Sequence, residues 1–193
     1  MFESDLSFFS PSLVLTTERL ILRRLAVSDY RDMYEYSKMP ETSRYLLWSP
    51  HETPRFTKKY LSYLQGQYRN GSFHDFAVVE KKSGKMIGTC GFTSFDLPNN
   101  SAEVGYVLSA PYWGQRIAPE ALRAVITFGF EVLCLNRIEA HFMPDNHASR
   151  RVLEKCMMLP EGVRREAMYA KGRYIDIETY AITEKDYKKI TNR

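Results

Sequence analysis

The chain has 193 residues, of which 44% are hydrophobic and 26% are charged, and these values fit a single folded domain. We expect that domain to span residues 1–193, with its core at about 17–183. The net charge of +4 comes without a run of Lys or Arg, which argues against direct nucleic-acid binding.

The chain also lacks the usual signals for export or membrane insertion. Its first residues, MFESDLSFFSPSLVL, place Glu3 and Asp5 ahead of any apolar run, which does not suit a signal peptide. No stretch approaches the roughly 20 apolar residues that a membrane span requires. Cys90, Cys134 and Cys156 are odd in number and set in apolar segments, so we interpret them as reduced core thiols. A cytoplasmic protein without membrane partners is therefore predicted.

Apolar spacing and turn signals predict a strand, two helices and two further strands before residue 100. Ser28 and Asp29 are candidate caps for the first helix, and Pro54 suits the first turn of the second. The predicted elements are a strand within 13–25 that begins near Thr17, helices at 30–39 and 53–69, and strands at 76–80 and 86–95. The aromatic connection at 40–52 fits either plain packing or a substrate wall.

The strongest functional signal lies between residues 101 and 133. Residues 101–108 are typical of a strand, which Pro111 closes, and apolar residues recur at helical spacing from Ala118 onward. The first turn of a helix presents unpaired N–H groups and the positive end of the helix dipole. The loop from Trp113 to Ala118 is therefore a candidate site for phosphate or diphosphate. A strand, loop and helix joined for structural reasons alone explain the same pattern equally well.

The rest of the chain predicts a strand, a helix and a hairpin. The strand covers 137–143, Asp145 and Asn146 cap a helix from about 147 to 157, and strands at 161–169 and 174–183 pair across Lys171-Gly172. The charged tail, 184–193, is expected to fray. The order β-α-α-β-β-β-α-β-α-β-β describes a mixed α/β fold.

Residues 112–122 resemble the acyl-coenzyme A loop of the GNAT acyltransferases. The RimJ/RimL-type branch of that superfamily uses Tyr-Trp-Gly-x-Gly-x-Ala-x-Glu-Ala-Leu, and the matching residues here are Tyr112, Trp113, Gly114, Ala118, Glu120, Ala121 and Leu122. The family's second glycine falls on Arg116, although glycine is favoured there because backbone must approach a diphosphate closely. Thr-Glu-Arg-Leu-Ile-Leu-Arg at 17–23 is also the usual opening of sequences of this branch. The resemblance therefore starts there, and it runs to about residue 182.

The resemblance implies the GNAT fold, in which helices flank a mixed, mostly antiparallel sheet. The strands before and after the long helix run parallel in that fold and splay apart, which leaves strand backbone free for the amides of pantetheine. Acetyl-coenzyme A is the implied acyl donor. The implied cofactor-binding residues are Val107, Leu108, Trp113, Gly114, Gln115, Arg116, Ile117, Ala118, Asn146, Ser149 and Lys155.

Two residues are candidates for catalysis. Asp-Asn-x-Ala-Ser at 145–149 resembles the family segment whose Asn contacts the cofactor and whose Ser lies near the thioester sulfur, so we assign Ser149 positioning and proton relay. Read without the family, Asn146 is an N-cap and Ser149 a polar residue of the first turn. Glu103, in an Ala-Glu-x-Gly-Tyr run, is the candidate base through water; a structural carboxylate paired with an Arg or Tyr is the alternative.

No metal site is predicted, since the four histidines are isolated and neither Cys-x-x-Cys nor His-x-x-x-His spacing occurs. Cys156-Met157-Met158 stands where the branch has Leu-Gly-Phe, and the loss of that glycine puts the end of the preceding helix in question.

The resemblance implies an N-acetyltransferase that moves an acetyl group from acetyl-coenzyme A to a primary amine by direct attack in a ternary complex. The acceptor is either the N-terminal α-amine of a protein, such as a ribosomal protein, or a small molecule such as a polyamine, an antibiotic or an amino-acid derivative. The alternatives from other classes are a non-catalytic acyl-coenzyme A binding module and a generic nucleotide-binding domain, whose glycine motifs are missing. Aromatic residues within 40–64 fit a homodimer contact as well as a substrate wall.

Overall fold

The computed structural model describes residues 9–10 and 12–191. In that part of the chain the strands are β1 (Val14–Thr16), β2 (Leu20–Arg23), β3 (His74–Glu80), β4 (Met86–Asp96), β5 (Ser101–Leu108), β6 (Arg137–Phe142), β7 (Leu159–Ala170) and β8 (Arg173–Thr183). The helices are α1 (Tyr30–Ser37), α2 (Pro40–Ser43), α3 (Pro54–Arg69), α4 (Ile117–Glu131), α5 (His147–Lys155) and α6 (Glu184–Thr191). Glu3, Asp5 and the last two residues of the predicted tail lie outside the described residues. None of the described helices is both long enough and apolar enough to cross a bilayer.

The eight described strands form one sheet in the order β1-β2-β3-β4-β5-β6-β8-β7. Every neighbouring pair is antiparallel except β5 and β6, which are parallel. This arrangement confirms the predicted mixed sheet. The predicted helix at 53–69 is found as α3. The side chain of Thr53 caps it by accepting the N–H of Phe56 at 3.1 Å.

Helices cover both faces of the sheet. Helix α4 packs on one face, where Gly129 lies so close to Ile138 and Phe92 that a Cβ there would meet both side chains. Helices α1 and α3 lie on the other face. Thr89 of β4 lines a cavity together with residues of both helices, and it points away from the face of Phe92 because neighbouring residues of a strand alternate. The core is therefore divided by the sheet into two layers.

The parallel strands β5 and β6 separate after three residue pairs. The last pair is Glu103 opposite Glu139, although β5 continues to Leu108 and β6 to Phe142. Each strand stays paired with its other neighbour beyond that point. The splay predicted between the two strands is therefore present, and we call this gap the seam.

The predicted strand within 13–25, which was expected to begin near Thr17, is confirmed as β2, but β1 was missed and the segment is a hairpin of two short strands. Thr17 closes the turn, because its N–H bonds to the carbonyl of Leu20 and its hydroxyl accepts the N–H of Leu20, both at 3.0 Å. The Thr17 hydroxyl also donates to Glu120 at 2.6 Å. A turn held by a distant carboxylate carries no local Gly or Pro signal.

The tail is helical as far as Thr191, so the prediction that it frays is wrong for the described residues. Thr183 caps α6 by exchanging bonds with Asp186: its hydroxyl donates to the carboxylate at 2.6 Å and accepts the Asp186 N–H at 3.2 Å. Tyr187 stacks on Phe130 with ring centroids 4.9 Å apart. The cap and the stacking together hold α6 on the body of the protein.

The three cysteines are free thiols, and two of them are buried as predicted. Burial raises the pKa of Cys90, and it raises the pKa of Cys156 to about 12. Cys134 is exposed, so its assignment to the core is wrong. It occupies a left-handed position, with φ of 52°, in the turn that follows α4.

Helix α5 ends in a motif that requires a left-handed residue. The N–H of Met158 bonds to the carbonyl of Leu153 at 3.1 Å, and the N–H of Met157 bonds to that of Glu154 at 3.0 Å. This pair of bonds is the Schellman motif, whose left-handed position favours glycine. Met157 holds that position with φ of 61°. The motif thus forms without the glycine, at a cost in backbone strain.

Replacing Met157 with Gly is expected to raise the free energy of unfolding by about 1 kcal/mol, because it relieves this strain while removing a half-exposed side chain. Urea denaturation of both proteins measures the change. The control is Glu154→Gly, at an exposed position inside α5, where glycine should lower stability. An equal loss of stability in both variants would contradict the argument.

Candidate functional site

The seam opens into a cavity of about 540 Å³, a typical size for a ligand site. Its walls come from β5, β6, the first turns of α4 and α5, residues 41–47 and the β7–β8 hairpin. All but one of the predicted site residues line it: Glu103, Val107, Leu108, Trp113, Gly114, Arg116, Ile117, Ala118, Asn146, Ser149 and Lys155. The exception is Gln115.

The loop before α4 leaves backbone N–H groups free at this cavity. Gly114 and Arg116 both have left-handed backbone, with φ of 76° and 61°. The first bond of α4 runs from the N–H of Glu120 to the carbonyl of Arg116 at 3.3 Å. The N–H groups of Ile117 and Ala118, which precede it, are therefore available to an anion. Arginine at 116 replaces the family's glycine but adopts the backbone that glycine would favour.

A strut from the N-terminal hairpin supports this loop. Arg19 donates to the carbonyl of Gln115 at 3.0 Å, and its Nε donates to the carboxylate of Glu120 at 2.6 Å. Burial would raise the pKa of Glu120, but hydrogen bonds from Thr17 and Arg19 outweigh it and hold the pKa below its ordinary value. The side-chain amide of Gln115 donates to Pro111 at 2.7 Å. Gln115 therefore braces the loop instead of lining the cavity, and Arg19 is a supporting residue that the sequence analysis missed.

Four cations that line the cavity form no ion pair with the residues that the structure describes, and one of them, Arg44, lies over the ring of Tyr45. Arg116 and Lys155, both predicted, are exposed at its edge, as is Arg151, which was not predicted. Nearby arginines are paired, for example Arg150 with Glu178 at 2.6 Å. Unpaired cations beside free N–H groups favour a ligand with several negative charges.

The backbone of β5 turns alternate residues toward the seam. The N–H of Ser109 donates to Ile87 of β4 at 2.8 Å, so odd-numbered residues near this end bond to β4 and even-numbered ones face the seam. A Cβ on Gly88 would lie 2.2 Å from the carbonyl oxygen of Val107, which shows that this oxygen points toward β4. The prediction that Val107 offers its backbone to a ligand is therefore wrong.

The carbonyl of Leu108 faces the seam side, but it is occupied. The indole Nε1 of Trp113 donates to it at 2.7 Å. Beyond the last pair of β5 with β6, the N–H of Leu108 and the backbone groups of Tyr106 remain on the edge of the seam. The alternation along a strand could be predicted from the sequence. Which set of alternate residues faces the seam could not, because that depends on the register between β4 and β5.

Ser149 is held by a tyrosine that the sequence analysis did not select. The Tyr106 hydroxyl lies 2.7 Å from Ser149 Oγ and 3.2 Å from the Ser149 carbonyl oxygen. The side chain of Asn146 accepts the N–H of Ser149 at 3.1 Å and so caps α5. Burial raises the pKa of Tyr106, which the Ser149 bond only partly offsets, so its hydroxyl keeps its proton. The predicted pair, Asn146 and Ser149, thus shares one face with a neutral phenol.

Glu103 lies on the opposite face of the sheet from Tyr106, because adjacent strand positions alternate. Its carboxylate is 3.4 Å from His141 Nδ1 and accepts the Ser94 hydroxyl at 3.4 Å. The Nε2 of His141 lies 3.8 Å from Glu139. The structural alternative for Glu103 named an Arg or Tyr partner, whereas the partners are His141 and Ser94. Both Glu103 and His141 line the cavity.

The end of the cavity away from α4 is closed by the β7–β8 hairpin. Lys171 at the hairpin tip donates to the carbonyl of Ser43 in α2 at 2.6 Å. The hairpin adds apolar wall, with Met168, Ile175 and Ile177. Of the aromatic connection proposed as a substrate wall, Tyr45, Leu46 and Leu47 line this cavity, whereas Trp48 and His51 line a second one.

Comparison with known proteins gives consistent results. Residues 19–158 match the acetyltransferase (GNAT) domain family. The chain is 34% identical over 173 residues to the uncharacterized N-acetyltransferase p20 of Bacillus licheniformis, covering 90% of this chain and 97% of p20. It is 25% identical over 185 residues to the ribosomal protein uS5-alanine N-acetyltransferase of Escherichia coli, covering 92% and 94%. The structure of RimL, a ribosomal L7/L12 alpha-N-protein acetyltransferase in complex with coenzyme A, superposes with a TM-score of 0.74 at 22% identity, covering 89% and 98%.

Proposed function

Because this chain belongs to the GNAT acetyltransferase family, we propose that it transfers an acetyl group from acetyl-coenzyme A to a primary amine. We propose the N-terminal α-amine of a ribosomal protein as the first acceptor class to test, since one relative is the uS5-alanine enzyme. The single observation that carries the proposal is the cavity at the seam, where free N–H groups, unpaired cations and a serine–tyrosine pair meet.

The diphosphate of the donor would bind at the start of α4. The N–H groups of Ile117 and Ala118 and the helix dipole suit its negative charge, and no side chain crowds the position of a Cβ on Gly114. Arg116, Arg151 and Lys155 supply positive charge at the same edge. A diphosphate therefore fits this end of the cavity better than a neutral ligand does.

The pantetheine arm would lie in the seam. Tyr106 and Leu108 present the backbone groups that face it, and an amide-containing chain is the ligand that can bond both N–H and C=O groups of a strand edge. Leu108 contributes only its N–H, because Trp113 takes its carbonyl. This arm would bring the thioester toward Ser149.

When bound, acetyl-coenzyme A supplies a thioester carbonyl for attack and a thiolate as leaving group. In the arrangement that we propose, Tyr106 donates to Ser149 Oγ and not to the Ser149 carbonyl, so the serine proton is free to point at the sulfur. The thiol has a pKa near 8.5 by analogy with cysteine, so a hydrogen bond to the thiolate assists its departure at neutral pH. Ser149 is then the catalytic residue and Tyr106 a positioning residue.

Glu103 would take the proton from the amine, directly or through one water. It lines the face of the cavity opposite Ser149, together with His141 at 3.4 Å. An α-amine has a pKa of about 7.7–8.0, so roughly a tenth is neutral at pH 7 and the demand on a base is modest.

Replacing Glu103 with Gln is expected to lower kcat/KM for an α-amine acceptor about tenfold at pH 7. The deficit should shrink as pH rises and vanish above about pH 9, where the amine is neutral without help. The pH–rate profiles of both proteins measure this. Glu139→Gln is the matched control, since Glu139 contacts His141 but does not line the cavity. A parallel profile for Glu103→Gln, displaced by a constant factor, would remove Glu103 as the base.

The overall proposal is tested by thiol release from acetyl-coenzyme A with a panel of acceptors. The panel contains peptides with the N-terminal sequences of ribosomal proteins, the same peptides with blocked α-amines, and small diamines. Release that requires a free α-amine supports the proposal. Saturable binding of acetyl-coenzyme A without release from any acceptor would instead indicate a non-catalytic binding module.

A further inference from the structure

A second cavity, of about 410 Å³, lies between the sheet and the helices on the face opposite α4. Its walls come from α1, α3, β3, β4 and residues 48–52. Most of its large side chains are aromatic: Tyr36, Trp48, Phe56, Tyr60 and Phe73. Val107 lines both this cavity and the one at the seam, so the two are neighbours.

The cavity contains a carboxylate that has no cation beside it. Asp75 of β3 accepts its neighbour's N–H, from Phe76, at 3.0 Å and a hydrogen bond from the Thr89 hydroxyl. Among the described residues it forms no ion pair, and no Lys or Arg lines the cavity. The residue is partly buried and lines the cavity. An enclosed carboxylate is costly unless a cation compensates it.

Two hydroxyl groups at the same cavity have no partner within the described residues. The Tyr36 hydroxyl and the Ser37 hydroxyl are buried and form no hydrogen bond. Native proteins rarely leave such groups unsatisfied, and each one calls for a ligand, an ion or a water. Both belong to α1, and both residues line the cavity.

The remaining polar groups add no positive charge. His51 lies among Trp48, Phe56 and Tyr60, with ring centroids 4.9 to 5.7 Å away. Its Nδ1 is 2.9 Å from the Thr57 hydroxyl, and burial lowers its pKa, which favours the neutral ring. Besides Asp75, the charged residue of the lining is Glu52, which is exposed. The charge of this cavity is therefore negative.

We propose that the second cavity binds a protonated alkylamine. An ammonium group has three donors and no acceptor, which matches the oxygens of Asp75, Tyr36 and Ser37. The aromatic walls suit both its charge, through their ring faces, and its alkyl chain. An anion would meet an unpaired carboxylate, and a neutral alcohol would leave that carboxylate without a countercharge.

The binding should depend on pH through Asp75. Burial, partly offset by the bonds from Thr89 and Phe76, raises the pKa of this carboxyl to about 7. The ionised fraction thus rises about tenfold from pH 6 to pH 8, while an alkylamine, like lysine, stays protonated. Affinity should rise by the same factor. The other titratable or charged groups that face Asp75 or line the cavity are Tyr36 on α1, Tyr60 and Tyr68 on α3, Cys90 on β4, and His51 and Glu52 between α2 and α3.

The test is calorimetric titration of the full chain with n-butylammonium chloride, at pH 8 and without any thioester. 1-Butanol is the uncharged probe of the same shape. We expect butylammonium to bind at least tenfold more tightly than butanol, and Asp75→Asn to weaken butylammonium at least tenfold while leaving butanol unchanged. Glu52→Gln, which removes the exposed carboxylate, should change the affinity less than threefold.

Tyr36→Phe gives an independent measurement if Asp75→Asn fails to fold, and it should weaken butylammonium severalfold. Equal affinity for the two probes, no detectable binding of butylammonium at 50 mM, or unchanged binding in both variants would overturn the proposal. Since no acyl donor is present, these outcomes do not depend on whether the protein acetylates amines.

Discussion

Ala118→Glu is expected to weaken the binding of acetyl-coenzyme A about a hundredfold. Ala118 lies in the first turn of α4, and its N–H precedes the first intrahelical bond. A carboxylate at this position would lie near the bound diphosphate. At a separation of about 5 Å and an effective dielectric constant of about 20, repulsion between two unit charges is about 3 kcal/mol. Each 1.4 kcal/mol corresponds to a tenfold change in affinity.

The matched control is Ala118→Gln, which adds the same bulk without the charge. Calorimetric titration with acetyl-coenzyme A should show a smaller loss for Gln than for Glu, and the difference should shrink in 0.5 M salt because exposed charges are screened. If Ala118→Glu binds the donor as tightly as the unaltered protein, the diphosphate does not lie at this loop.

Ser149→Ala is expected to lower kcat by a factor of ten to one hundred while changing donor affinity less than threefold. In the proposed mechanism the hydroxyl would contact the leaving group only as charge develops on sulfur, so its loss would affect turnover more than binding. Tyr106→Phe should lower kcat about tenfold, since Ser149 Oγ then loses its partner at 2.7 Å. Thiol release gives kcat, and calorimetry gives the affinity for the donor.

The two residues should act as a unit, so the double variant should be little slower than Ser149→Ala alone. Ser149→Thr keeps a hydroxyl at the same place and should retain most of the activity. Independent, multiplicative losses would contradict the positioning role of Tyr106. An unchanged rate in Ser149→Ala would exclude the serine from the mechanism.

The parts of the site that are continuous in sequence could be predicted. The strand, loop and helix around Gly114 follow from apolar spacing, Pro111 and the position of Pro119, and the family resemblance identified the loop. The Asn146 cap could be predicted because a side chain at the start of a helix bonds within three residues. The splayed sheet followed from the family and not from composition.

The parts that depend on distant contacts could not be predicted. Arg19 supports the loop from a position 96 residues before Gln115, and nothing near Arg19 indicates this. Val107 was predicted to present its backbone to the seam, whereas Tyr106 does so. The sequence shows that alternate residues of the strand face the same way, but not which set faces the seam. The register between β4 and β5 decides which of them presents its backbone to the seam.

Arginine at 116 illustrates how a broken motif and a preserved structure coexist. The glycine of the family pattern specifies a left-handed backbone, and Arg116 adopts it with φ of 61°. Such a residue costs about 1 kcal/mol relative to glycine. The added guanidinium at the cavity edge is the compensating gain that we infer, because a multiply charged ligand would bind it.

The strut made by Arg19 has a thermodynamic consequence for the whole molecule. It fastens the outermost hairpin of the sheet to the turn that would hold the ligand's phosphates. Donor binding at that turn and docking of the β1–β2 hairpin are then linked. Binding stabilises the docked hairpin, and docking raises the affinity for the donor by the same factor. The affinity for the donor would therefore depend on whether the β1–β2 hairpin is in place, although neither strand lines the cavity.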